Sequence, residues 1–414
     1  MTELERLFLA RQPILDSNGT LIGYELLFRD STTNRADTVT PGLATADVVC
    51  KAFTELGLAT ALGGHKAFII ADAEFLRHEA IEALPSHAVV LEVDAALAAE
   101  PDVLERCAAL GAKGYTFCLM HLNELDESVA ALLKLSSYIK LNINDCDATL
   151  LKRLLALPPE FRPVTIASRV ETKADYQSAC DLGFHFFQGY YFAEPTVVEG
   201  RRVDPGMRGL MHIINLLNRD AEINEIEQAF KGEAALTVKL LRLTNSAGVG
   251  LRIRIGSVRQ AITVIGRFHI QRWLQLLLYS QSGGADFARN PLMQYAALKG
   301  CFMEGLVRRG FPGQGNLADL AFLTGLLSLM PAALGMPMTD ILEQLAIAPQ
   351  LRNALLQHEG DLGVLLELTD CFDNDDPHGV NAALTRLGKV LGHDALNACL
   401  TEAIAWVQTL ADEE

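Results

Sequence analysis

The feature that most limits how this chain can fold is a recurrence. Short apolar runs return at intervals of roughly 22 residues through the first half, at 67–70, 88–93, 115–120, 138–143, 164–167 and 184–187. Stretches with helical periodicity, such as 48–56, 96–110 and 125–135, lie between them. Strands of four to six residues alternating with helices imply a parallel sheet, and seven or eight such units in about 195 residues imply a closed βα barrel. Two earlier extended runs, 7–15 and 20–29, are joined by Asp16-Ser17-Asn18-Gly19 and read as a hairpin or a pair of neighbouring strands.

A barrel of this kind carries its site at the C-terminal ends of its strands. Those ends carry Glu25 and Arg29, Ile70 before Asp72, Glu92 with Asp94, Met120-His121, Lys140 with Asn142, Ser168 with Glu171, and Gln188-Gly189-Tyr190. Within 23–29, Glu25, Leu27 and Arg29 share one strand face because side chains alternate. A carboxylate there suits a divalent cation, and a guanidinium beside it grips phosphate in two places. Taken alone, the heptapeptide also reads as an ordinary strand-end ion pair. Together with Glu92, Lys140, Glu171 and Gln188 it becomes a polar mouth suited to a phosphate ester.

Composition narrows the function classes. The 414 residues suit two or three domains, half of them are hydrophobic and 21% are charged, so large cores are expected. The net charge of −16 argues against nucleic acid as a partner while permitting a local basic patch. Eight cysteines are scattered without a C-x-x-C pair, which suits buried thiols in a reducing compartment. The N-terminus shows no basic region followed by an apolar block. Residues 320–338 are uncharged but contain Gly325, Pro331, Gly335 and Pro337 and read as a buried core helix ending near Pro331. A soluble cytoplasmic protein is expected, with no membrane partner.

Several ordered motifs carry a resemblance. Ala10-Arg11-Gln12-Pro13-Ile14, the run from Tyr24 to Arg29, Leu91-Glu92-Val93, Ile139-Lys140-Leu141-Asn142 and Phe187-Gln188-Gly189-Tyr190 resemble the EAL family. The resemblance covers about residues 5–195. It implies a βα barrel that hydrolyses cyclic di-GMP with two divalent ions, magnesium or manganese. On the family's pattern Glu25, Arg29, Glu92, Lys140, Glu171 and Gln188 are retained. An expected asparagine falls at Ile70, the adjacent aspartate pair at Met120-His121, a later aspartate at Asn142 and a glutamate at Ser168. A thioether and one imidazole do not replace two carboxylates toward hard cations. The expectation is therefore loss of the metals and of catalysis, leaving Glu25, Arg29, Glu92, Lys140, Glu171 and Gln188 as a ligand-binding remnant.

After Pro195 the composition shifts. Residues 196–203 read as a linker, and Asp204-Pro205 as the start of a helical domain running to 414. Leu236, Leu240 and Leu243 form one helical face, Ser257 and Gln260 read as a capping box, and Gly266 ends that helix. The sequence LLRLTNSAG followed by IRIGSVRQAITVIG resembles the HDOD family, relatives of the HD phosphohydrolases. The LTGLL segment at 323–327 is followed by Ser328-Leu329 where the resemblance would place a His-Asp metal pair, and His393-Asp394 reads as a cap of the last helix. Between residues 234 and 285 lie Lys239, Arg242, Arg252, Arg254, Arg259, Arg267 and Arg272 with no acidic residue. That run reads either as a docking face for an acidic partner or as charges paired within the fold. The leading expectation is a non-catalytic signalling protein with a protein partner, connected by resemblance to motility or biofilm control. A metal-independent cyclic di-GMP receptor and a weakly active phosphodiesterase are the alternatives, and self-association is left open.

Overall fold

A computed structural model describes the chain except residues 1–6, 31–48, 51–52, 54–61, 63–64, 126, 128, 160–161, 195–204, 245–254, 281–286, 288–289, 346, 375, 389–390 and 413–414. Eight strands close into a barrel in chain order. They are β1 (Leu7–Asp16), β2 (Leu21–Asp30), β3 (Lys66–Ile70), β4 (Val89–Asp94), β5 (Thr116–Met120), β6 (Ser136–Asn142), β7 (Val164–Ser168) and β8 (Phe186–Gln188). The barrel expected from the recurrence is present, with one departure from an all-parallel sheet. β1 runs antiparallel to both β2 and β8. The cause is local: Asp16 Oδ1 accepts from the Asn18 and Thr20 amides at 2.8 Å, closing a tight turn that sends β2 back along β1.

β4 shows why these runs read as continuously apolar. Its Val89, Val90, Leu91, Glu92 and Val93 are all buried, because one face lines the interior and the other meets surrounding helices. Ile14, Phe68, Val90, Cys118 and Ile166 form an interior plug, with Tyr138 and Phe186 packed against it. Two residues further toward the C-terminal ends, alternation places Gln12, Ile70, Glu92, Met120, Lys140, Ser168 and Gln188 facing the same interior. Polar groups therefore sit on an apolar floor.

The compact units do not simply follow chain order. One contains Met1–Glu194 with Asp370–Gln408, and the other contains Pro195–Thr369 with Thr409–Glu414. The expected single helical domain over 204–414 is thus divided, and helices Pro377–Arg386 and His393–Asp412 fall mainly with the barrel. Arg11, on the outer face of β1, shows what holds that unit together. It is buried, stacks 4.6 Å over the Tyr24 ring, and its backbone carbonyl accepts from Tyr190 Oη at 3.1 Å. Burial works against the guanidinium, but Tyr24, Tyr190 and Asp373 outweigh it and raise its pKa.

In the second unit, helices Pro291–Gly310 and Gly315–Ser328 pack closely where Gly300 and Gly325 face each other. A Cβ on Gly325 would stand 2.7 Å from the Lys299 carbonyl oxygen, so glycine permits the crossing. The 320–338 stretch is broken at Leu329: one helix ends at Ser328 and a short one begins at Met330, with Pro331 in its first turn. Gly315–Leu334 is apolar and long enough to cross a membrane, but over half of that window is buried inside the protein, as for a core helix. Ser257 accepts from the Gln260 amide at 3.2 Å, while Gln260 reaches back one residue further than a capping box requires, to the Gly256 amide at 3.1 Å. Gly266, at φ 88°, ends the helix as expected.

Candidate active site at the barrel mouth

Four of the six retained residues meet inside the barrel. Glu25, Glu92, Lys140 and Gln188 are all buried, and Glu92 is fully so. Lys140 Nζ lies 3.3 Å from a Glu25 oxygen and closer still to Glu92. Gln188 Nε2 donates to Glu25 and, at 2.8 Å, to Gln12 Oε1. Gln12 is a site residue that strand-end reasoning missed. Its signal was the hairpin register, which sets Gln12 opposite Glu25.

Electrostatics separate the two carboxyls. Burial raises the Glu92 pKa, the Glu25 charge raises it further, and Lys140 offsets only part, leaving it at about 8. Burial also pushes Glu25 up, but the Lys140 charge and hydrogen bonds from Glu92 and Gln188 reverse the balance and hold it below its ordinary value. Burial opposes the Lys140 ammonium, and the two carboxylates outweigh burial to raise its pKa. At neutral pH the cluster is a carboxylate, an ammonium and a carboxylic acid. Gln188 Oε1 lacks a hydrogen-bond partner, and Lys140 keeps one of its three donors beyond its contacts with Glu25 and Glu92. Such orphaned groups at a mouth are open to a ligand.

The remaining residues fall elsewhere. Glu171 is exposed, and the Arg29 side chain lies outside the described residues. His121 has left-handed backbone, φ 53°, and its Nδ1 stands 2.8 Å from Asp94 Oδ2. Asn142 accepts from the Asn144 amide at 3.1 Å and donates to Asp145 at 2.5 Å, so it caps a turn. Ile70 and Ser168 are half-buried, and Met120 is buried. Hard divalent cations take six or more oxygens, and this layer supplies two carboxyls already bridged by an ammonium. Among the described residues no three His, Cys, Asp or Glu are placed to hold a metal ion. The donor set does not fit a pair of divalent cations.

The basic run of the helical region is partly spent. Arg259 donates to Glu227 at 2.9 and 3.1 Å and also to Asn224, and Arg267 donates to the Ala221 carbonyl at 2.6 Å. Arg272 forks onto Glu304 at 2.7 and 3.2 Å, 3.5 Å over the Phe322 ring centroid. Lys239 stays exposed. Arg252, Arg254 and the Arg242 side chain lie outside the described residues.

Comparison with known proteins places these halves. An EAL domain model matches residues 1–195 and an HDOD domain model matches residues 208–334. The chain is 28% identical over 413 residues to "Cyclic di-GMP phosphodiesterase CdgJ" of Vibrio cholerae serotype O1 (strain ATCC 39315 / El Tor Inaba N16961), covering 97% of this chain and 93% of that one. It is 26% identical over 415 residues to "Uncharacterized protein YuxH" of Bacillus subtilis (strain 168), covering 98% and 99%. Among solved structures, a Klebsiella pneumoniae BlrP1 manganese/cy-diGMP complex matches 45% of this chain and 55% of its own at 18% identity and TM-score 0.36. The PaMucR phosphodiesterase c-di-GMP complex matches 45% and 95% at 22% identity and TM-score 0.33.

The match to a phosphodiesterase along nearly the whole chain corrects the expectation of a non-catalytic protein. That expectation counted carboxylates at Ile70, Met120, His121, Asn142 and Ser168, which tests one arrangement of ligands only. The mouth still joins an acid titrating near neutrality, an ionised carboxylate and an ammonium. The chain belongs to the EAL family over residues 1–195 and to the HDOD family over residues 208–334.

Proposed function

We propose that this protein acts in the cytoplasm as a cyclic di-GMP phosphodiesterase, with its site at the barrel mouth and an HDOD region that couples it to a protein partner. The carrying observation is the 28% identity over 97% of the chain to a relative named for that activity. The cluster of Glu25, Glu92, Lys140 and Gln188 gives the reading its chemistry. A water oxygen attacks one phosphorus, the bond to the leaving ribose oxygen breaks, and a linear dinucleotide results. Glu25, held ionised, aims the water and takes the proton it releases as the new phosphorus–oxygen bond forms. Lys140 offsets charge gathering on the phosphoryl oxygens, and Glu92, protonated below about 8, supplies a proton to the leaving oxygen. Lys239 remains on the exposed surface for an acidic partner.

The test is hydrolysis of cyclic di-GMP by the full chain, with magnesium or manganese and in chelator. Wild type should turn over, and Glu25→Gln should lose about 100-fold or more, the usual scale for a positioned acid–base group. Nucleotide bound but never cleaved in any buffer would sink the reading.

A further inference from the structure

We infer that the fixed positive charge of this mouth is the Lys140 ammonium, and that the phosphodiester is held here without a divalent cation. The inference deepens the proposed function and rests on cyclic di-GMP being the ligand. Three observations carry it.

The first is position. Lys140 Nζ stands 3.3 Å from Glu25 and in contact with Glu92, all three being buried, so an ammonium already fills the space between the mouth's two acidic groups. A divalent ion drawing on both carboxyls would have to displace it against like-charge repulsion.

The second is the rest of the layer. Ile70, Met120 and Ser168 contribute an alkyl group, a thioether and a hydroxyl. The nearest polar substitutes are committed elsewhere, Asn142 to its turn and His121 to Asp94. Among the described residues, the carboxylates of this layer are Glu25 and Glu92, both held by Lys140, so a second ion would find no anionic side chain of its own.

The third is unspent hydrogen bonding. Lys140 Nζ has three donors, of which its contacts with Glu92 and Glu25 occupy two, and Gln188 Oε1 has no donor aimed at it. A phosphate oxygen on the ammonium and an N–H of a base edge on the glutamine would satisfy both.

Two measurements on the full chain test this. In a manganese titration followed by electron paramagnetic resonance, wild type without nucleotide should leave the ion free. A micromolar bound population that disappears in Glu25→Gln overturns the inference. In calorimetry with cyclic di-GMP, affinity in EDTA and in manganese should agree within about threefold. Lys140→Gln should weaken binding about tenfold or more in both buffers, and Lys140→Arg should retain most of it. Thermal melts check that each variant folds. Binding that vanishes in EDTA and returns with manganese also overturns the inference. Silence toward the nucleotide in both buffers removes the cyclic di-GMP reading itself, and the manganese titration then decides the cation question alone.

Discussion

Among the described residues, a buried charge cluster in the barrel and a partly buried one in the helical unit differ in what they leave unsatisfied. In the helical unit, Arg272 forks onto Glu304, which also accepts from Arg308 at 2.6 Å, while Phe322 covers the guanidinium. Both Glu304 oxygens there accept hydrogen bonds from guanidiniums. In the barrel, Lys140 serves two carboxyls, one of which keeps its proton to about 8, and Gln188 Oε1 has no hydrogen-bond partner. A saturated pair holds a fold together. A frustrated one is material for a binding site.

The largest effect should come from breaking the saturated pair. Glu304→Ala takes the forked carboxylate from the half-buried Arg272 guanidinium and should cost about 1.5–3 kcal/mol, read from the unfolding transition of the helical region. A cost below about 1 kcal/mol would erase the contrast. Gly189→Ala should come next. At φ 144° the backbone is one that side chains avoid, and a Cβ there would collide with the Val170 carbonyl, at a strain of about 1–3 kcal/mol. Because Gly189 follows Gln188 directly, nucleotide affinity should fall with stability.

The barrel wall offers an intermediate case. A double-mutant cycle of Arg11→Leu and Asp373→Asn should give a coupling of about 0.5–3 kcal/mol, and additivity would disconnect the C-terminal helices from β1. Glu92→Gln sharpens the comparison through pH. The folded pKa of about 8 lies above the ordinary 4.5, so the native state keeps a proton that the unfolded chain releases. That contribution to stability is complete below about 4.5 and is lost as pH rises through about 8. Denaturant midpoints of wild type should therefore fall between about pH 5 and about pH 8. Those of Glu92→Gln should fall less, and parallel curves would mean that another group titrates. The smallest effect belongs to Arg259→Ala, whose exposed pair with Glu227 should be worth under about 1 kcal/mol.

Much of this was legible in the residues alone. The spacing of apolar runs determined the barrel, since only strands alternating with helices bury both strand faces and cover the sheet. Turn residues determined the first hairpin, and strand ends marked Glu25, Glu92, Lys140 and Gln188. Counting carboxylates pointed away from activity, because a count of ligands does not show how protons are shared. Tertiary structure decided that Glu92 is acidic only near neutrality, since burial and a neighbouring charge set its pKa. It likewise brought Gln12 opposite Glu25, spent Arg259 and Arg272 on Glu227 and Glu304, left Glu171 in solvent, and returned the last helices to the barrel unit. Periodicity is a property of neighbours along the chain and survives in sequence. Proton sharing and charge pairing depend on groups that only folding brings within a few ångströms.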